Sequence, residues 1–351
     1  MGNIAYLALD IHARHSVLGK MDSKGNFRGN QKFPTSEVNI VDALKAVKEK
    51  KKYLAIEEGS LTYWAAQVAH PYVTEVICCD PRENALIYRG HNKRDTIDTR
   101  QLCRLLRLGE LKRVYHPQDD ERAVFKAAAQ HYIDFRDQQT KLKQKIKAMY
   151  RHWGVVNVFG EAVYTKKGRN KYIEQIKHIA IQNQLKRLYA VLDKTTSMQD
   201  NALKDLKRLG QKYPEIKEFK KISGIGDVGA HTFDAFLQTP DRFANKRQVW
   251  RYFRLGITDR SSDGKPLGYK RLDRSGIPEL KAVTHRAWMS CMKGDNEIRR
   301  FYSNSLKRTS SRVHARLNTQ RKIIAVMYGL WKTGVAYRPQ VFLDASQSGV
   351  D

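Results

Sequence analysis

Two carboxylates three residues apart, Asp95 and Asp98, stand in the run His91-Asn92-Lys93-Arg94-Asp95-Thr96-Ile97-Asp98. If a helix starts there, both lie on one face. Alone, such a pair is an ordinary helix start whose charges complement the macrodipole. Two further acids change that reading. Asp10 ends the apolar run Ile4-Ala5-Tyr6-Leu7-Ala8-Leu9, and Glu57 ends Tyr53-Leu54-Ala55-Ile56; each run reads as a buried strand. Asp is depleted in strands, so its place at the end of one calls for a reason. Four carboxylates arriving from two strand ends and a helix start suit a divalent-metal site. All-oxygen ligation that leaves room for water and phosphate favours Mg²⁺, with Mn²⁺ as a substitute. Two metals about 4 Å apart would clamp the attacking and leaving oxygens of a phosphodiester. Glu58 follows Glu57 directly and stays a rival for its role, although alternation after Ala55 favours Glu57.

A second chemistry is written in Phe253-Arg254-Leu255-Gly256-Ile257-Thr258-Asp259-Arg260-Ser261-Ser262-Asp263-Gly264-Lys265 and in the stretch that follows it, Gly268 to Gly276. Glycine-punctuated, polar and basic, it reads as an exposed functional loop. Ser261 and Ser262 lie between cations, which lower the cost of a nucleophilic alkoxide near a phosphate.

The elements that must position these groups can be read in order. After the first strand, Ser16 to Met21 and Phe27 to Phe33 flank a turn and form a hairpin. Ser36-Glu37 starts a helix that runs to about Glu49, with Lys48 to Lys52 as its solvated end. Then come the strand ending at Glu57, a short helix over Thr62 to Ala69, a strand over Val73 to Cys79, and a helix opened by Pro81-Arg82-Glu83. A leucine-rich helix continues to Leu108. Strand, hairpin, then alternating helices and strands is a ribonuclease H-like layout. From Asp119 to about Trp153, Val124, Phe125, Ala128, Tyr132, Phe135 and Leu142 mark a helical stripe opposite Arg136, Lys141, Lys143, Lys145 and Lys147. A basic loop, Gly160 to Lys171, leads to a second long helix, Ile173 to about Leu209, with a break near Thr195-Thr196-Ser197. The pair reads as a coiled arm that joins subunits, grips a phosphate backbone, or does both. Tyr150, Trp153 and Tyr164 serve either base stacking or the arm's core. Lys221 to Ala230, with Ser223-Gly224-Ile225-Gly226, resembles a helix-hairpin-helix turn whose backbone amides approach phosphate. Pro278 to Met292 and Ser310 to Gly334 read as helices, and Ala345 to Asp351 as a frayed tail.

Bulk properties agree. The chain has 351 residues and a formal charge of +29, which favours a polyanionic partner, most economically nucleic acid. With 41% hydrophobic residues it can bury true cores. No apolar run approaches a membrane span, and nothing at its start reads as a secretory signal. Cys78, Cys79, Cys103 and Cys291 lack zinc spacing; Cys78 and Cys79, in an apolar strand, read as buried thiols, and a cytoplasmic protein is expected.

Acids, arm and serine loop stand in an order that resembles the DEDD transposases of the insertion-sequence family numbered one-ten, a group that includes Piv-like DNA invertases and recombinases guided by a bridge RNA. The most specific pieces are Asn92 to Arg100, similar to the family's N-K-x-D-x-x-D-A-R with Thr99 for alanine, and Ser223 to Gly226, similar to its P-G-I-G with Ser223 for proline. Leu255 to Gly276 and Lys332-Thr333-Gly334-Val335 match as well, whereas Glu57-Glu58-Gly59-Ser60 departs from E-A-x-G by one residue. The resemblance implies an α/β plus all-α protein in four parts. These are an RNase H/RuvC-like domain over 1–112, a basic coiled-coil arm over 113–212, a mainly helical transposase domain over 213–340, and a tail over 341–351. It implies a metal-binding tetrad of Asp10, Glu57, Asp95 and Asp98. It also implies a serine, Ser262 by glycine spacing or else Ser261, that becomes covalently linked to DNA. The implied partners are target and donor double-stranded DNA, a guide RNA, and further copies of the chain as a dimer and a tetramer. Because acids and serine lie far apart in sequence, a composite site is expected. The rival readings are a RuvC-like nuclease that uses water, and a non-catalytic nucleic-acid scaffold.

Overall fold

The computed structural model describes residues 3–81, 95–117, 120–262 and 265–342. The chain divides into two compact units, Met1–Gln118 and Asp119–Asp351.

The first unit is built on a five-stranded sheet. Its strands are β1 (Ile4–Ile11), β2 (His15–Asp22), β3 (Phe27–Pro34), β4 (Lys51–Glu57) and β5 (Glu75–Cys79), in spatial order 3-2-1-4-5. β1, β2 and β3 are antiparallel neighbours, whereas β4 and β5 run parallel to β1. Alternation sorts the central strands onto two cores. Ala5, Leu7, Leu9, Leu54 and Ile56 face α1 (Glu37–Lys45) and α2 (Thr62–Ala69). Ala8 and Ala55 face α3 (Asp95–Leu108), which contributes Leu102, Cys103, Leu105 and Leu106. Ser36 caps α1 by accepting from the Asn39 amide, as the sequence predicts. The helix ends at Lys45, earlier than expected, and Lys51 and Lys52 belong to β4 rather than to a helix end. The Lys52 ammonium returns to the Leu44 carbonyl at 2.7 Å, so part of this basic run satisfies the end of α1. The expected helix after Pro81 falls outside the described residues.

The second unit is mainly helical. α4 (Asp120–His152) and α6 (Ile179–Gly210) form a long hairpin, with α5 (Lys166–Ile173) at its far end. That end has its own core of Ile146, Tyr150, Val163, Leu185 and Tyr189. Tyr150 is fully buried in it, whereas Trp153 is 39% exposed. The expected break near Thr195 does not occur, because the Thr195 and Thr196 hydroxyls bond back to the Val191 and Leu192 carbonyls within a continuous helix. At the near end of the hairpin, Phe125, Ala129, Tyr132 and Leu206 belong to a larger core. That core is shared with α7 (Glu215–Phe219), α8 (Asp227–Leu237), α9 (Lys246–Tyr252), α10 (Pro278–Cys291), α11 (Glu297–Thr309) and α12 (Arg312–Thr333). Val124, expected on the apolar stripe, is 52% exposed. α11 carries Ile298, Phe301, Tyr302 and Leu306 at helical spacing, a stripe the sequence reading missed because charged and polar residues dominate the segment. The expected loop after Gly256 is instead a two-stranded antiparallel hairpin, β6 (Ile257–Ser262) and β7 (Lys265–Leu272). Its alternation is hidden because the strands carry mostly polar and charged residues.

Candidate functional site

Asp10 and Glu57 arise from the carboxyl ends of neighbouring parallel strands. The register pairs Leu9 with Ile56, so the two acids are the next residues along. Alternation from Ala8 and Ala55 puts both on the α3 face. Asp10 is 26% exposed, and its Oδ1 lies 3.2 Å from Nε2 of His12. His12 is a site neighbour that the sequence reading missed; its signal is the Asp-x-His spacing, which returns to one strand face. Thr62 Oγ1 donates to the Glu57 carbonyl at 2.6 Å and accepts from the Gly59 amide at 2.8 Å, fixing the turn after the acid. Glu58 has left the strand, and its amide donates to the Cys79 carbonyl at 2.9 Å.

The path of α3 follows from three contacts. Thr99 Oγ1 donates to Asn30 Oδ1 at 2.8 Å, and Cys103 Sγ donates to the Gly19 carbonyl at 3.5 Å. A Cβ on Gly19 would stand 2.8 Å from Thr99 Cβ, so only glycine lets the helix lie this close to the sheet. Gly19 is level with Ala8. In the last turn, the Arg107 guanidinium lies by Gly25, in the β2–β3 turn at the amino end of β1. The helix therefore runs antiparallel to β1. Its first turn precedes Thr99 by about 6 Å along the axis, towards the strand end that carries Asp10. Asp95 and Asp98 occupy that turn; their side chains, and all of Asn92-Lys93-Arg94, lie outside the described residues. Among the described residues no cluster of three or more His, Cys, Asp or Glu side chains stands ready to hold a metal. Asp10 and Glu57 supply hard oxygen donors, the type that suits Mg²⁺.

Ser261 and Ser262 close β6, paired with Pro266 and Lys265. Their side chains, and Asp263 and Gly264 between the strands, lie outside the described residues. The hairpin is fastened at its root. The Asp273 amide donates to the Gly256 carbonyl at 2.9 Å, Arg251 Nε to Asp273 Oδ2 at 3.1 Å, and the Ile277 amide to the Tyr252 carbonyl at 2.9 Å. Gly276 permits this with φ +92°, since a Cβ there would stand 2.5 Å from the Tyr252 carbonyl oxygen.

The glycine turn between α7 and α8 is drawn inward. Gly224, at φ +76°, abuts the Ala287 carbonyl. The Ser223 amide and hydroxyl both donate to Glu297, at 3.1 and 2.9 Å. Asp227 bridges Lys207 and Lys220, each at 2.5 Å, and hydrogen bonds from those two lysines hold its carboxyl down to about 2. Of the arm's cations, Lys143 and Lys147 lie against Tyr164 and bind Glu161 and the Gly160 carbonyl, whereas Lys141, Lys145, Lys166, Lys167 and Lys171 remain exposed. The four cysteines form no disulfide and are buried. Burial pushes Cys78 up to about 11 and Cys103 to about 12, so both are inert thiols. Among the described residues no helix is long and apolar enough to cross a membrane.

A mixed α/β unit bearing carboxylates at its strand ends, joined to a basic helical unit, is the plan of a nucleic-acid-processing enzyme. Two family models match the chain. A DEDD transposase model of the IS110 type covers residues 7–152, and the transposase IS116/IS110/IS902 family covers residues 216–303. The chain belongs to the IS110 family of DEDD transposases. Its partner is accordingly DNA. Comparison with curated proteins finds no match.

Proposed function

We propose that this transposase is a site-specific DNA recombinase that works by metal-assisted serine attack. Asp10, Glu57, Asp95 and Asp98 form the metal-holding set of an RNase H/RuvC-like domain (1–112). Ser262 is the nucleophile of the helical transposase domain (213–340), with Ser261 as its alternative. The observation that carries the reading is the pairing of Asp10 and Glu57 at adjacent parallel strand ends, beneath the helix that opens with Asp95. Mg²⁺, or Mn²⁺ in its place, would polarise the scissile phosphate when bound. Asp10 and Glu57 would hold the cation from two strand ends that cannot shift without disturbing the cores behind them. The Ser262 oxygen bonds to phosphorus while the ester bond to the leaving sugar oxygen breaks. Because water has not attacked, the phosphodiester energy stays in the protein–DNA link and is available for rejoining.

The arm (113–212) joins copies of the chain as a coiled coil into a dimer, and two dimers hold two DNAs as a tetramer. Its exposed lysines lie against nucleic acid. Sequence choice is delegated to a bridge RNA, a division of labour that suits a basic chain whose sequence carries no standard base-reading motif. The test incubates the protein with RNA co-purified from its own locus, labelled target DNA and Mg²⁺. A denaturant-resistant adduct is expected, lost in Ser262→Ala and kept in Ser261→Ala. Cleavage without an adduct, equal in all proteins, would replace this reading with a hydrolytic nuclease. Unchanged behaviour of Asp10→Ala in every assay would leave only a binding scaffold.

A further inference from the structure

Beside the root of the serine hairpin, the second unit gathers four partly buried basic side chains. Lys281 and His285 sit one turn apart on α10, and Trp288 continues their stripe. Arg316 comes from α12, its guanidinium 5.8 Å from the Trp288 ring centre. His285 stacks on the same indole at 5.5 Å and 24°. Arg254 is the fourth. Its φ of 56° is a left-handed conformation that non-glycine residues rarely take, and its Nε donates to the Gly276 carbonyl at 2.8 Å.

What sets the cluster apart is its lack of compensation. Two partly buried arginines of the same unit are met by acids, Arg122 by Glu215 and Asp234 and Arg169 by Asp193. Among the described residues no carboxylate pairs with Lys281, His285 or Arg316. Glu279, on the same helix, is engaged by Arg136 and Arg286 at 2.7 and 2.6 Å. The strain shows in the titration. Burial, then the charges of Arg316, Lys281 and Arg286, push His285 down; burial, then Arg316 and Arg254, push Lys281 down. The buried Trp288 Nε1–H has no acceptor among the described residues. Like charges held together out of water repel, and an anion between them turns that repulsion into charge-assisted hydrogen bonds. The cluster offers a compact anion an ammonium, an imidazole and a guanidinium, with the Trp288 ring beside them for a sugar or base.

We infer that the cluster of Lys281, His285 and Arg316, with Arg254 at its edge, binds a backbone phosphodiester of nucleic acid next to the hairpin that carries Ser262. The inference rests on the DNA-recombining reading for the nature of the polymer, and not on the identity of the nucleophile. These are positioning residues, which seat the strand without touching the reacting atoms.

Binding is measured with the full chain in EDTA, where no chemistry occurs, so failure of the serine or metal assignment leaves the result unchanged. Anisotropy of a labelled short DNA duplex and of a labelled hairpin RNA is followed against KCl. Lys281→Gln/Arg316→Gln should weaken binding to at least one of them by roughly tenfold; where the duplex is weakened, its salt slope should be smaller by about 1.8. Lys307→Gln/Arg308→Gln, which removes the same charge from the exposed last turn of α11, should change little. Single Lys281→Gln should give an intermediate loss, and serves if thermal melting shows the double variant unfolded. Loss confined to duplex assigns the cluster to DNA and loss confined to hairpin assigns it to RNA; either supports the inference. Equal weakening by both pairs, or none by the Lys281/Arg316 pair, overturns it.

Discussion

The carboxylate end of the N-terminal sheet and the serine hairpin are both strand termini, yet they are held in opposite ways. β1 and β4 lie inside the sheet, with apolar cores on both faces. β6 and β7 form a two-stranded ribbon on their own, tied down at the root by Gly256, Asp273 and Gly276. Such ribbons have little stability of their own. The contrast follows the chemistry proposed for each. Metal ligands tolerate errors of only about 0.5 Å. A nucleophile that ends bonded to DNA must travel with a phosphate, and a ribbon anchored at one end suits that task.

The sharpest way to break this comparison is to remove one function from each side. Asp10→Ala should lower Mg²⁺-dependent cleavage by about a thousandfold or more, roughly 4 kcal/mol of barrier. It should also lose Mg²⁺ binding by calorimetry, while the partly exposed position leaves the melting temperature nearly unchanged. Ser262→Ala should lose the adduct yet bind Mg²⁺ as the native protein does. An Asp10→Ala protein that still forms the adduct would end the division of labour. Next in size are the glycines that set each anchorage. Gly276→Ala forces a side chain into φ +92° and against backbone, and should cost about 2–3 kcal/mol in urea unfolding. Gly19→Ala meets a side chain instead, and should cost about 1–3 kcal/mol. By lifting α3 it should also reduce cleavage beyond what its stability loss explains, whereas Gly276→Ala should spare Mg²⁺ binding.

The smallest effect lies at Asp227. Its carboxyl is held down to about 2 in the folded chain, so its stabilisation is present above the ordinary carboxylate value and disappears as pH falls from about 4 to 2. Asp227→Asn should flatten that part of an acid-unfolding curve, modestly and less so in high salt, since both lysine partners are more than 40% exposed.

The sheet was legible because its strands are apolar runs punctuated by acids and turns, a period-2 signal that burial reinforces. Asp10 and Glu57 could be found for the same reason: each breaks an apolar pattern at its end. The hairpin of Ile257 to Leu272 was not legible as strands, since no apolar face is written into it. His12 was overlooked because its significance lies in a contact with Asp10, and α11 because charged and polar residues outnumber its stripe of Ile298, Phe301, Tyr302 and Leu306. The close packing of Thr99 on Gly19 joins residues eighty positions apart, and nothing local announces it.

Glu297 offers a last consequence. Its carboxylate, 9% exposed, receives the amide and hydroxyl of Ser223 and the phenol of Tyr337, while the Tyr337 amide donates to Glu218 at 2.9 Å. A polypeptide cut after Gly334 would keep every α-helix described in its unit. It would still strip one donor from a nearly buried charge and release the glycine turn that the charge fastens. The length at which such a protein can be trimmed is therefore set by Tyr337 and the buried Phe342 beyond its final long helix, and not by where the helices stop.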